Sequence, residues 1–135
     1  MRILLLLVAF LIGFATLAGA GEDVAATAQS VIRSQEEAFG RDDAATAYTF
    51  AAPSIRSGYR TPETFMYMVR NGYAPVYRHK SFEFGKSSSS EAKIMQEVHI
   101  FDADGVAWEA LYMLERQSDG SLKISACVLL KLVGA

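Results

Sequence analysis

The sequence predicts an α+β fold in which three N-terminal helices pack on a curved antiparallel sheet of about four strands. Apolar residues recur at helical spacing over much of residues 22–71, and four strand-like segments follow from residue 76 onward. Two Asp-Gly turns separate the last three of these segments, which indicates antiparallel hairpins. Helices followed by a strand meander favour packing of the helices on one face of the sheet.

The N-terminus predicts a secretory signal peptide, residues 1–20. Arg2 precedes a leucine-rich run that ends in Ala18-Gly19-Ala20, a small-residue cleavage site, and acidic residues follow directly. The alternative is an uncleaved anchor, because an apolar run of 18 residues borders on membrane-spanning length. Cleavage after Ala20 would leave one domain, residues 21–135, without an integral membrane span and located in the periplasm or secreted.

Charge is distributed unevenly along residues 21–135, which carry 12 basic and 15 acidic side chains. Residues 53–80 have a net charge of +4, whereas residues 21–52 have −4. The basic middle favours an anionic ligand or a membrane surface, and the alternative is a solvated face. The sequence lacks the basic stripe that is typical of nucleic-acid-binding proteins, so nucleic acid is not expected as a partner. The single cysteine, Cys127, excludes an internal disulfide, and its apolar surroundings favour a buried thiol over a nucleophile.

The first helix is predicted over residues 22–39, ending at Gly40, with Gln35 as a polar residue inside its apolar stripe. The second is predicted over residues 44–51, with Asp42 as N-cap and Pro53 beyond its end. Residues 54–60 are predicted to form a loop.

The third helix is predicted over Pro62 to Asn71, because Thr61-Pro62-Glu63 combines a capping hydroxyl, proline at N1 and an acid in the first turn. Its phase places Phe65, Met68 and Val69 on the core side, with Met66 at the edge. Tyr67 lies on the opposite side. It is either a surface tyrosine or the lip of a cavity or partner site.

Strands are predicted over residues 76–84, 92–101, 106–116 and 121–133, with the serine run 87–90 as a flexible connection. Gly105 and Gly120 each fit the left-handed position of a three-residue hairpin. The resulting register pairs residues whose numbers sum to 208 across the first hairpin and to 238 across the second. One face of these strands then becomes almost wholly apolar. The opposite face has a polar rim and an apolar middle, which suits a subunit interface; it carries Lys93, Met95, Glu97, His99, Glu109, Leu111, Met113, Ser125, Cys127 and Leu129.

Three segments of the chain resemble an uncharacterised bacterial family, the domain of unknown function 4864, with an NTF2-like (cystatin-superfamily) fold. They are IRSQEEAFGRDDAATAYTFAAPSIR, TPETFMYMVRNGYAPVYR and DGVAWEALYMLERQSDGSLKISAC. The resemblance implies an NTF2-like cone that encloses a cavity, and frequent dimers through the sheet. It implies no activity, since a fold does not determine a function.

Three polar residues fall on otherwise apolar faces: Gln35, Gln96 and Tyr112. Each is either paired within the core or directed into a cavity, with Trp108 as one wall. His99 and Glu109 are predicted to face each other across a hairpin. They form either a structural cross-strand charge pair or a catalytic pair in which Glu109 holds His99 as a base. His79 is expected at a solvated strand end.

No motif predicts a metal or a cofactor. Asp102-Ala103-Asp104-Gly105 resembles the start of a calcium loop, but the twelfth position, Met113, cannot ligate, so a hairpin turn is predicted. Zinc spacing and a glycine-rich phosphate loop are both lacking in the sequence.

The sequence therefore predicts an exported protein, homodimeric through its sheet, that binds a small apolar or anionic ligand or a partner. The candidate ligand-binding residues are Gln35, Tyr67, Gln96, Trp108 and Tyr112. The main alternative is a small cofactor-free enzyme of the isomerase, dehydratase or hydrolase type, although no inward Asp–His or carboxylate pair and no catalytic residue is identified. A third hypothesis is an interaction domain with a filled cone.

Overall fold

A computed structural model describes residues 20–133 of the chain, and the side chains from Val24 onward. The predicted signal peptide lies outside the described residues except for Ala20. The helices are α1 (Ala20–Gly40), α2 (Ala44–Thr49), α3 (Pro53–Gly58), α4 (Pro62–Gly72) and α5 (Ala74–Tyr77). The strands are β1 (His79–Ser90), β2 (Lys93–Asp102), β3 (Ala107–Arg116) and β4 (Leu122–Lys131). They form one antiparallel sheet in the order β1-β2-β3-β4, which confirms the α+β class.

The helices cover one face of the sheet. α1 contacts β1, β2 and β4, while α3 contacts β4 and α5 contacts β2. The core between the two layers contains Ile32, Phe39 and Met66 from the helices and Val98 and Tyr112 from the strands, and each of these residues is at most 2% exposed. None of the helices described is long and apolar enough to cross a membrane.

The three predicted helices are present, with one cap corrected. Asp43, and not Asp42, caps α2, because its carboxylate accepts a hydrogen bond from the Thr46 amide at 3.1 Å. Asp42 instead adopts a left-handed conformation with φ of 54°. Thr61 caps α4 as predicted, within a capping box shared with Thr64.

Two short helices occupy segments that the sequence assigned otherwise. α3 lies in the predicted loop, and α5 includes Val76, where a strand was predicted to begin. Pro53 is the first residue of α3 and Pro75 the second residue of α5, and proline is suited to the first turn of a helix. β1 begins only at His79 and then runs through the serine segment 87–90, so the predicted flexible connection there is wrong. The four serines pair with β2, and the connection is the two-residue turn Glu91-Ala92.

The register between β2 and β3 is confirmed, including Gln96 opposite Tyr112 and Ile100 opposite Trp108. Gly105 and Gly120 have φ of 80° and 86°, as the turns require. Between β3 and β4, Leu114 faces Ile124 as predicted, but a bulge at Ser125 moves every later pair by one residue.

The bulge reverses the faces of β4 beyond Ser125. Tyr112 faces Cys127 rather than Ala126, and Cys127 and Leu129 pack against the core instead of lying on the outer face. Val128 and Leu130 take the outer positions and are each 51% exposed. A one-residue shift has this effect because side chains alternate along a strand.

Candidate functional site

A wide groove of about 870 Å³ lies between the end of α3 and one side of α4. We call it the Tyr67 groove; it is lined by Gly58, Tyr59, Glu63, Thr64, Tyr67, Met68, Asn71 and Gly72. Most of its wall is apolar, and it is open to solvent along its length. Tyr67 is 70% exposed and Tyr59 is 37% exposed, which leaves two tyrosine side chains available to a ligand.

The phase of α4 determines which side chains reach this groove. Phe65, Met66 and Val69 are buried in the core at 4%, 1% and 4% exposure. Met66 is therefore more deeply buried than predicted, whereas Met68, predicted as core, is half-buried and forms part of the groove wall. Tyr67 projects from the opposite side of the helix, as predicted.

The Tyr67 groove contains hydroxyl groups and two further hydrogen-bond acceptors, on Asn71 and Glu63. The Asn71 amide Nδ2 donates to the Tyr67 carbonyl oxygen at 2.8 Å, so the Asn71 Oδ1 is left to accept. The Glu63 carboxylate lies in the first turn of α4 at the wall of the groove. Tyr59 is fixed at its backbone, where its carbonyl accepts from the Tyr48 hydroxyl at 2.5 Å.

The other sequence-predicted site residues lie elsewhere. Gln35, Gln96 and Tyr112 are 4%, 0% and 2% exposed, inside the core between helices and sheet. Tyr67 is thus separated from the other four candidates, and the structure brings only Gln96 and Tyr112 together, as cross-strand neighbours. Among the described residues, every buried side-chain nitrogen and oxygen has a hydrogen-bond partner.

Gln96 holds a bulge in β1. Between Phe84 and Ser87, the two residues Gly85 and Lys86 lie opposite Glu97 alone. The Gln96 Nε2 donates to the carbonyl oxygens of Gly85 at 3.1 Å, Lys86 at 3.4 Å and Glu97 at 2.8 Å. The Glu97 carboxylate accepts from the Lys86 amide at 3.3 Å, so adjacent residues of β2 satisfy both carbonyls and an amide of the bulge.

The remaining predicted polar contacts also have protein partners. The Gln35 Nε2 donates to the Ala47 carbonyl at 3.2 Å and so joins α1 to α2. The Tyr112 hydroxyl is hydrogen-bonded to the Cys127 thiol, and burial raises the pKa of Tyr112 well above its usual value. Burial likewise raises the pKa of Cys127 to about 12, which agrees with the predicted inert thiol.

Trp108 lies at a different, smaller pocket of about 340 Å³, beside the turn between β2 and β3. Its indole Nε1 donates to the Asp102 carboxylate at 2.9 Å. This bond, together with backbone amides of the turn, lowers the pKa of Asp102. Asp102 Oδ1 also accepts from the Asp104 and Val106 amides, so the segment is a hairpin turn, as predicted.

Sequence reasoning missed an acid–histidine pair between α1 and β1. His79 is only partly exposed, and its Nε2 lies 3.1 Å from the Glu36 carboxylate. Its Nδ1 lies 2.9 Å from the Pro75 carbonyl, and Arg33 forms an ion pair with Glu36. The prediction of a solvated His79 is therefore wrong. No local signal identifies the pair, because Glu36 and His79 are 43 residues apart.

The chemistry of this pair is limited by its bonding. Both ring nitrogens of His79 are engaged by protein oxygens, so neither is left to exchange a proton with a substrate. The predicted alignment of His99 with Glu109 is confirmed, with Glu83 on the other side of His99. That cluster lies on the sheet face opposite the helices. Within residues 20–133, no group of three His, Cys, Asp or Glu side chains is placed to hold a metal ion.

Comparison with known proteins identifies one family. No curated protein and no solved structure gives a significant match to the chain. A family model described as "Domain of unknown function (DUF4864)" matches residues 22–135, which include every element of the sheet and the walls of the Tyr67 groove. The chain therefore belongs to the DUF4864 family.

Proposed function

We propose that this protein is an exported binding protein that holds a small apolar ligand in the Tyr67 groove. The observation that carries the proposal is an apolar groove of about 870 Å³ flanked by the exposed side chains of Tyr59 and Tyr67. Tyrosine supplies a large contact area with few rotatable bonds, which suits a binding surface. Concave apolar surfaces with a few placed polar groups are the usual form of small-molecule sites.

The polar groups of the groove indicate what the ligand carries. Glu63 and the Asn71 Oδ1 both accept hydrogen bonds, and Glu63 repels a negative charge. We expect an apolar body with a hydroxyl or amine donor, and no anionic group, in this groove. Tyr67 is the ligand contact among the sequence-predicted residues, while the hydrogen bonds of Gln35, Gln96, Trp108 and Tyr112 to other protein groups support a role in building the scaffold.

The test uses the neutral fluorophore N-phenylnaphthylamine as a probe of apolar sites. We expect saturable binding, with affinity about fivefold weaker in Tyr67→Ala and nearly unchanged in Tyr67→Phe, since the ring supplies the contact. Because Tyr67 is 70% exposed, the alanine variant will fold normally. Leu132→Ala, at an exposed apolar residue beyond β4, is the control. Binding that does not saturate, or that Tyr67→Ala leaves unchanged, contradicts the proposal.

We also propose that the fold is an NTF2-like cone and that two copies associate through the outer face of the sheet. Bulges in β1 and β4 bend strands, which supports a curved sheet around the helices. The outer face carries six large apolar side chains, with His99 and Glu109 among its polar residues: Met95, Phe101, Leu111, Met113, Val128 and Leu130. An apolar centre with a polar rim is the usual composition of a two-fold interface, in which both copies present the same patch.

Sedimentation of residues 21–135 tests the dimer. We expect a dimer at micromolar concentration and a monomer for Val128→Glu, because the charge would be buried without a partner. Val133→Glu is the matched control, since Val133 lies beyond β4 and is 94% exposed. A monomeric parent protein, or equal effects of the two variants, contradicts the interface.

The proposed export rests on the apolar N-terminal run and its small-residue end. Expression of the full chain followed by N-terminal sequencing of the exported fraction is expected to yield a chain that begins at Gly21. A retained Met1 or Arg2 in membrane fractions would support the uncleaved anchor instead.

A further inference from the structure

A second cleft, of about 600 Å³, lies on the other side of α3, against the turn between β3 and β4. We call it the Arg56 cleft; it is lined by Ala51, Pro53, Arg56, Ser57, Gln117, Ser118, Asp119, Ser121 and Lys123. Its lining is more polar than that of the Tyr67 groove and contains two basic side chains. Arg56 belongs to the basic segment 53–80, whose charge the proposed apolar site does not explain.

Both basic side chains are held by backbone carbonyls of one segment. The Arg56 Nε donates to the Ala51 carbonyl at 3.1 Å, and the Lys123 Nζ donates to the Thr49 carbonyl at 2.7 Å. Two backbone bonds of Ile124, with Phe50 and Ala52, fix this segment to the edge of β4. The cations therefore occupy defined positions at the wall of the cleft, which reduces the entropy lost when a ligand binds.

The two cations lack a full complement of negative charge. No ion pair of the described residues includes Arg56 or Lys123. The Arg56 guanidinium lies over the Tyr48 ring at 4.9 Å, and its hydrogen bond uses only Nε. The terminal guanidinium nitrogens are thus available as paired donors.

One acid, Asp119, also lines the cleft. Its Oδ1 accepts from the Ser121 amide at 2.9 Å and from the Ser121 hydroxyl at 2.6 Å. These bonds, followed by the charge of Lys123, lower the pKa of Asp119. Two cations against one acid leave a net positive charge. The Ser118 hydroxyl at the wall adds a donor, whereas the Ser57 hydroxyl already donates to the Ser54 carbonyl at 2.9 Å.

We propose that the Arg56 cleft binds an oxyanion group, a carboxylate or a phosphate, between the Arg56 guanidinium and the Lys123 ammonium. Guanidinium groups bind such anions through two parallel N–H donors, and an ammonium group adds a point charge. The cleft is separate from the Tyr67 groove in lining and in charge, so this proposal does not depend on the apolar ligand.

Backbone amide NMR titration at low ionic strength tests the proposal, with inorganic phosphate and succinate as the two probes. We expect saturable shifts confined to residues 51–58 and 117–123. Arg56→Gln and Lys123→Gln are each expected to weaken binding about threefold or more, whereas Asp119→Asn strengthens it about twofold by removing a like charge. A preference for one probe identifies the group as phosphate or carboxylate.

Arg116→Gln is the matched control. The Arg116 guanidinium donates to the Gly120 carbonyl on the same turn, but Arg116 does not line the cleft. Equal weakening in Arg116→Gln and Lys123→Gln would show a general surface potential and overturn the site, as would the absence of saturable shifts with both probes. Lys123→Gln alone is decisive if Arg56→Gln unfolds. Tyr67→Ala is expected to leave these shifts unchanged, so this proposal can fail or hold independently of the apolar groove.

Discussion

The replacement Gln96→Leu tests whether the buried amide is a structural element of the sheet. Leucine nearly preserves the side-chain volume, so the main loss is hydrogen bonding rather than packing. The amide serves three carbonyls, and two of them, those of Gly85 and Lys86, belong to the β1 bulge. The Oε1 of Gln96 also accepts from the Gln29 amide at 3.2 Å.

The magnitude follows from the two bulge carbonyls. A buried polar group that loses its partner costs about 1–3 kcal/mol. Water can hydrogen-bond to the Lys86 carbonyl in place of the lost amide, because Lys86 is exposed. The leucine side chain also buries some apolar surface. We therefore place the net loss at about 3 kcal/mol in the free energy of unfolding. For a domain of this size that corresponds to a decrease in melting temperature of about 10 °C.

Urea unfolding followed by circular dichroism measures this loss as a shift in midpoint at constant slope. Gln117→Leu is the matched control, because its amide donates to the Glu115 carbonyl at 2.9 Å at a half-exposed position where water can substitute. We expect less than about 0.5 kcal/mol there. If Gln96→Leu costs under about 1 kcal/mol, or no more than the control, the amide does not hold the bulge and its earlier interpretation as a ligand contact regains support.

Three further predictions address other parts of the molecule. The hydrogen bond from Tyr77, followed by the charge of Arg78, lowers the pKa of Asp42 in the folded protein. The ionised Asp42 carboxylate therefore stabilises the fold above about pH 4, and this stabilisation is lost as the pH falls through the lowered pKa. Asp42→Asn should remove this pH dependence from the urea midpoint measured in that range. Cys127, with its pKa raised by burial to about 12, should react with iodoacetamide at least about 100-fold more slowly in the native than in the unfolded protein, and equal rates would refute its burial. A Cβ at Gly85 would lie 2.6 Å from the His99 Nε2 and 3.2 Å from the Glu97 Oε2, so Gly85→Ala should cost about 1 kcal/mol in the parent and markedly less in a His99→Ala background. An equal cost in both backgrounds would show that the contact with His99 is not the source of the strain.

Local chemistry explains which parts of the fold were predictable. The start of α4 at Pro62 and the two Gly turns depend on residues within a few positions of each other. The β2–β3 register followed from such a turn, because the turn fixes which residues pair and a one-residue slip would expose the apolar face. The exposure of Tyr67 followed from helical phase.

Features that depend on the partner strand were not predictable in this way. The serine run 87–90 has weak preferences of its own and becomes strand because β2 supplies its hydrogen bonds. No glycine or other turn residue marks the bulge at Ser125 in the sequence. In the folded protein, the Ser125 hydroxyl donates to the Met113 carbonyl at 3.2 Å. That single extra residue placed Cys127 beside Tyr112 and exposed Val128.

The sequence by itself determined the α+β order, the start of α4 after Thr61 and the register between β2 and β3, because each is set by residues close together in the chain. Only the tertiary structure decided the contact of Glu36 with His79, the bulge carbonyls bound by Gln96, and the grooves on either side of α3. These contacts and grooves form between residues that are distant in the chain, so the spacing of residues along the sequence does not predict them.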